Sequence, residues 1–137
     1  MRTIILLRHA KAEQDAPRGG SDFDRVLADK GRKQLKTLPT LFQHCGCTPD
    51  VIIASPAART KETAMAVHAL FPESTLIFDP TLYLANADIM LDILNALPAT
   101  IRSVCIVAHN PGLYELAVQL SGHEVEMPTL GMVRVDR

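Results

Sequence analysis

Two arginines and two histidines stand out for where the chain delivers them. Arg8 and His9 end the apolar run "TIILL", Ser55-Pro56-Ala57-Ala58-Arg59-Thr60 follows "DVIIA", and His109-Asn110-Pro111-Gly112 follows "SVCIVA". A planar guanidinium binds two oxygens of a phosphate at once and keeps its charge at any working pH. An imidazole can act as acid, base or nucleophile near neutrality. Taken singly, an arginine after a strand is usually a surface ion pair, and a lone histidine there is usually a hydrogen-bonded structural residue. Agreement among three exits points elsewhere. In open α/β sheets, ligands bind beyond the carboxyl ends of the strands, where loops enter helix N-termini whose free N–H groups favour anions. If the three runs are neighbouring strands, Arg8, His9, Arg59 and His109 converge on a place suited to phosphate.

The elements that must do this positioning follow from periodicity. "TIILL", "DVIIAS", "STLIFD", "RSVCIVAH" and the terminal "TLGMVRV" read as strands, the third on an edge and the last an interrupted or final edge strand. Between them lie helical patterns. Asp29 to His44 carries Leu35, Leu38, Leu41 and Phe42 at helical spacing, with a kink or break expected at Pro39, which lacks a backbone donor. "PAARTKETAMAVHALF" reads as a helix with Ser55 as N-cap and Pro56 at the first helical position; "NADIMLDILNALP" and "PGLYELAVQLSG" complete the set, the last closing on Gly122. Alternating strands and helices predict a three-layer α/β/α sandwich with a mostly parallel sheet covered on both faces. The polar, turn-rich stretch Glu13 to Lys30 breaks the pattern and reads as a surface loop beside the first strand end.

The 137 residues, 47% of them hydrophobic, suit one domain over 1–137 with a single substantial core. Fourteen Lys and Arg nearly balance fifteen Asp and Glu, so no nucleic-acid or membrane-surface partner is expected, and anion binding must come from local placement. No apolar run approaches the roughly 20 residues that span a bilayer, and "MRTIILLRHA" has neither the apolar length nor the cleavage site of a signal peptide, which predicts a cytoplasmic protein. Three cysteines, an odd number, make no disulfide framework. "HCGC" (His44, Cys45, Cys47) lacks a second ligand pair and reads as a helix-ending turn with Gly46 at the break; His44, His68 and His123 have no catalytic company. No carboxylate cluster at the strand exits suits magnesium, so neither metal nor cofactor is expected.

"LLRHA", "SPAARTKETA" and "VAHNPGL", in that order and roughly fifty residues apart, resemble the histidine phosphatase superfamily, and the short chain with its "HNP" ending is similar to the compact SixA-type branch, the phosphohistidine phosphatases. Ala10 stands where the family's opening motif commonly has glycine; alanine is the next smallest residue and keeps the loop feasible. The resemblance implies a phosphoglycerate-mutase-like fold and a role in signal transduction. It also implies that His9 is a nucleophile forming a covalent phosphohistidine that water then hydrolyses. Arg8 and Arg59 would clamp the non-bridging oxygens, His109 as imidazolium would hold a third, and Asn110 would either cap its own helix or touch phosphate. The substrate expected is phosphohistidine in a protein, such as a histidine phosphotransfer domain; the alternatives are a small-molecule phosphomonoesterase and a non-catalytic phosphate-recognition module. For a general acid, Tyr83, Asp88, Asp22 and Asp24 are all open.

Overall fold

The computed structural model describes residues 1–137. Strand β1 (Thr3–Arg8) leads through helices α1 (Asp29–Leu35) and α2 (Leu38–Cys45) to β2 (Val51–Ala54). Next come α3 (Ala58–Leu70), β3 (Thr75–Phe78), α4 (Ala87–Ala96), β4 (Ser103–Ala108), α5 (Gly112–Ser121) and β5 (Met132–Asp136). The strands form one sheet in the order β3-β2-β4-β1-β5, parallel except for β5, which runs antiparallel along β1. No helix is long and apolar enough to cross a membrane.

Period-2 alternation explains why the strands read as unbroken apolar runs. Ile4, Leu6, Ile53, Val104 and Ile106 point to one face, where Met90 and Leu94 of α4 and Leu113 and Leu116 of α5 cover them. Ile5, Leu7, Ile52, Cys105 and Val107 point to the other, against Leu38 and Phe42 of α2 and Ala64 and Val67 of α3. A strand buried on both faces has no polar positions to alternate with. The chain thus winds outward to β3 with α1 to α3 on one face, then returns through β4 with α4 and α5 on the other. The reversal of direction opens a crevice at the carboxyl end of the sheet.

Three local expectations need correction. The helical stretch after Asp29 does break, but at Lys36-Thr37, and Pro39 lies in the first turn of α2, where a missing N–H leaves no helical carbonyl unpaired. Helix α3 starts at Ala58 with Ala57 in the cap position, so neither Ser55 nor Pro56 occupies the place anticipated; the Ser55 hydroxyl faces another strand exit, described below. The stretch from Glu13 to Lys30 is not simply a surface loop. Leu27 is fully buried, Ala12 and Leu27 form an isolated antiparallel bridge, Asp22–Asp24 make a 3-10 turn, and α1 already begins at Asp29. At the other end of the molecule's order, Gly46 and Gly122 close α2 and α5 in left-handed backbone, as their positions after the apolar pattern predict.

The N-terminus of α5 lies directly on the turn that follows Tyr83. A Cβ added at Gly112 would stand 1.9 Å from the Ala85 carbonyl oxygen, so only glycine permits this approach. Gly112→Ala should therefore destabilise the fold by about 1–3 kcal/mol through overpacking, seen as a lower urea midpoint with an unchanged slope. An unchanged midpoint would mean that this approach is not tight in solution.

Candidate active site

Register sets the site. Arg8 pairs with Ala108 across β1 and β4, and Ala54 pairs with Val107 across β2 and β4, so the three exits stand level at one end of the sheet. His9 and His109 follow directly, with ring centroids 5.5 Å apart, and Arg59 enters from the first turn of α3. They line a cleft of about 370 Å³ together with Arg8 and Asn110. The five residues expected to react with or bind phosphate, Arg8, His9, Arg59, His109 and Asn110, therefore lie on one cleft.

Each is held by contacts that fix its aim. His9 Nδ1 lies 2.6 Å from the Ala10 carbonyl, a partner that can only accept, so Nδ1 carries the proton and Nε2 keeps its lone pair. Ala10 is itself locked: it is fully buried, and its N–H donates to Thr63 Oγ1, which donates in turn to the Arg59 carbonyl. The alanine in place of glycine therefore sits in a filled position. Arg8 donates from one terminal nitrogen to the Met127 carbonyl. Asn110 donates to the same carbonyl at 2.9 Å and accepts the Tyr114 N–H at 3.1 Å, which ties the start of α5 to the cleft wall. His109 Nε2 is 2.8 Å from Ser55 Oγ.

Of the four candidates for a general acid, the folded-in loop brings Asp22 into the cleft, and with it Arg25, which no sequence pattern placed there. Arg59 donates to the Asp22 carbonyl oxygen at 2.8 Å and to its Oδ2 at 3.0 Å, while Arg25 donates to Oδ1 at 2.9 Å. The Tyr83 hydroxyl donates to Oδ2 as well. This hydroxyl, with Arg25 and Arg59, holds the Asp22 carboxyl far below the usual carboxylate range, so it remains an anion and has no proton to give. Among the other acid candidates, Asp24 accepts the Ser21 N–H and Asp88 lies exposed in the first turn of α4. Tyr83 packs edge-on against both His109 and Phe23, so the loop is pinned to the second wall of the cleft. The available signal was Leu27, an apolar residue inside a polar loop, which is fully buried and bridges to Ala12 beside the first strand end.

Electrostatics sets the protonation states. Burial pushes His9 down to about 4, with Arg59 and Arg8 adding to the effect against the Ala10 hydrogen bond. His109 is pushed down to about 3 by burial first and then by Arg59. The imidazolium expected at His109 is thus disfavoured in the free cleft, because a buried ring beside a guanidinium cannot hold a second positive charge cheaply. No three His, Cys, Asp or Glu side chains gather as a metal ligand set.

A mostly parallel five-stranded sheet with Arg8-His9, Arg59 and His109 gathered at its carboxyl end defines an α/β protein with a cationic cleft. The chain belongs to the histidine phosphatase superfamily (branch 1), whose family model matches residues 4–83. It is similar to an uncharacterized chloroplastic protein of Arabidopsis thaliana, 29% identical over 93% of this chain and 63% of the relative. It is also similar to the mitochondrial serine/threonine-protein phosphatase PGAM5 of Xenopus tropicalis, 35% identical over 53% of this chain and 25% of that one. The chain thus spans less than two thirds of the length of these curated relatives. A crystal structure described as that of a phosphohistidine phosphatase SixA from Agrobacterium tumefaciens superposes with a TM-score of 0.89 at 29% identity, covering 99% of this chain and 92% of the other.

The depressed histidines carry a consequence for stability. Both rings are neutral when folded, whereas an unfolded histidine takes up a proton near pH 6.5, so below that value the unfolded state binds more protons. Stability should be full above pH 6.5 and fall as pH drops toward about 4 for His9 and about 3 for His109. Urea unfolding between pH 7 and pH 4.5 should show this decline, and His109→Asn should flatten it. Parallel declines in the two proteins would refute the assignment of His109.

Proposed function

We propose that this chain is a metal-independent phosphatase that transfers phosphoryl through His9 and acts on phosphohistidine carried by a protein, such as a histidine phosphotransfer domain, in the cytoplasm. One observation carries the reading. The buried side-chain nitrogens without a hydrogen-bond partner are Arg8 Nε, Arg59 Nε and His109 Nδ1, all from residues that line the same cleft. Buried polar groups are nearly always paired, and three unpaired nitrogens on residues that line one cleft suit a ligand that brings acceptors only. A phosphoryl group with three non-bridging oxygens is such a ligand.

The chemistry follows from the same atoms. His9 Nε2 attacks phosphorus with its lone pair, a P–N bond forms, and the bond to the leaving group breaks with its electron pair departing on that group. Water then attacks the phosphohistidine, and His9 leaves as a neutral imidazole while inorganic phosphate forms. Proton transfer from Nδ1 is not required, since its hydrogen bond to Ala10 keeps the tautomer through the cycle. Arg8 and Arg59 supply fixed positive charge to the equatorial oxygens, as a metal would in other phosphoryl-transfer sites. Asn110 has one amide proton committed to Met127 and a second available to phosphate.

The leaving group is where phosphohistidine is favoured over a small-molecule phosphomonoester. Asp22 stays ionised, so no carboxylic acid in the cleft is ready to protonate an alkoxide. Loss of a positioned acid typically costs about 10²–10⁴ in rate, whereas imidazole departs readily once its nitrogen is protonated by solvent. In chelator-treated buffer, kcat/KM should be high for a phosphohistidine protein, intermediate for an aryl phosphate and low for an alkyl phosphate such as glycerol phosphate. Equal values for the alkyl ester, or turnover that depends on added magnesium, would overturn the reading. Binding of all three without turnover would favour a phosphate-recognition module instead.

A further inference from the structure

His109 is neutral in the free cleft, and a neutral imidazole has one N–H and one lone pair. Which nitrogen carries the hydrogen decides whether the ring offers phosphate a donor or a repelling lone pair. The ring's surroundings answer this. Nε2 is 2.8 Å from Ser55 Oγ, and Nδ1 is buried without a partner. Ser55 is completely buried, and its Oγ already accepts the Ala57 N–H at 3.3 Å. His109 Nε2 is the one acceptor within reach of the Ser55 hydroxyl proton.

If Nε2 carried the hydrogen, it would donate to Ser55 Oγ, the serine proton would have no acceptor, and the Nδ1 lone pair would have no donor. Two buried polar groups would go unsatisfied. With the hydrogen on Nδ1, Ser55 donates to Nε2 and every polar atom of the pair is matched except one N–H in a residue that lines the phosphate cleft. The strand exits hold this arrangement rigidly. Ser55 N–H donates to the Val107 carbonyl at 3.1 Å, which fixes the end of β2 against the end of β4.

We propose that Ser55 is a positioning residue that locks His109 in the Nδ1–H tautomer, so that the ring presents a hydrogen-bond donor to the phosphoryl oxygens. This rests on the phosphatase reading for the identity of the ligand but not for the tautomer, which exists in the free protein. The serine of "SPAART" thus acts through a histidine 54 positions away and not as the cap of the helix that follows it.

Long-range 1H–15N correlation NMR on 15N-histidine-labelled protein reads the tautomer without reference to activity. Wild-type His109 should show a protonated Nδ1 and an unprotonated Nε2. Ser55→Ala should lose that pattern and weaken vanadate inhibition, approaching the roughly 100-fold that loss of one oxyanion donor costs. Ser55→Thr, which keeps the hydroxyl, should retain both. A protonated Nε2 in the wild type overturns the inference even if Ser55→Ala fails to fold, and so does a changed tautomer with unchanged vanadate affinity. If the tautomer and its serine dependence hold but His9 proves dispensable for turnover, the phosphatase reading fails and the positioning role stands.

Discussion

Everything in the cleft depends on the parallel pairing of β1 and β2 with β4. Parallel strands send all their carboxyl ends one way, and this register makes Arg8, Ser55 and His109 emerge level. A slip of one residue would turn His9 to the opposite face of the sheet and bury the wrong side chains. The apolar alternation that covers both faces therefore does two tasks: it closes the core and it fixes the aim of a guanidinium and two imidazoles. Loops alone could bring the same residues near one another, but not at a separation that in-line attack tolerates.

The arrangement carries an electrostatic cost. Arg8, Arg25 and Arg59 share one cleft with two buried histidines, and Asp22 is the carboxylate that balances them. Its oxygens take Arg59, Arg25 and the Tyr83 hydroxyl, so the loop that carries it is strapped down by the charge it neutralises. The same contacts disqualify Asp22 as a proton donor. In the proposed phosphatase chemistry, the cleft offers positive charge to the phosphoryl oxygens and leaves protonation of the departing atom to solvent.

Much of this was legible in the chain because strands buried on both faces end sharply, and the residues at their ends are few. The three exits, the five-strand alternation and the glycines closing α2 and α5 all follow from patterns local in sequence. What was not legible depends on partners far apart. Ser55 before Pro56 looks like a helix cap until β4 brings His109 beside it, and the polar composition of the loop conceals that Asp22 and Arg25 turn inward around a buried Leu27. The protonation of His109 also lay beyond the sequence, since burial and the nearness of Arg59 appear only once the sheet is assembled. Pro39 shows the reverse case: the break it announced is real, but the proline is tolerated inside the new helix and the chain turns before it.

In the proposed function, everything turns on His9 Nε2, aimed by the Ala10 carbonyl and the strand end, taking the phosphoryl group. Rapid quenching of the 137-residue chain mixed with a phosphorus-labelled phosphohistidine protein reads that transfer itself. A transient label should appear on the chain, lost in acid and stable in base, mapping to His9 and absent from His9→Ala, which should also lose turnover. Turnover that persists in His9→Ala, or label on another residue, would contradict it.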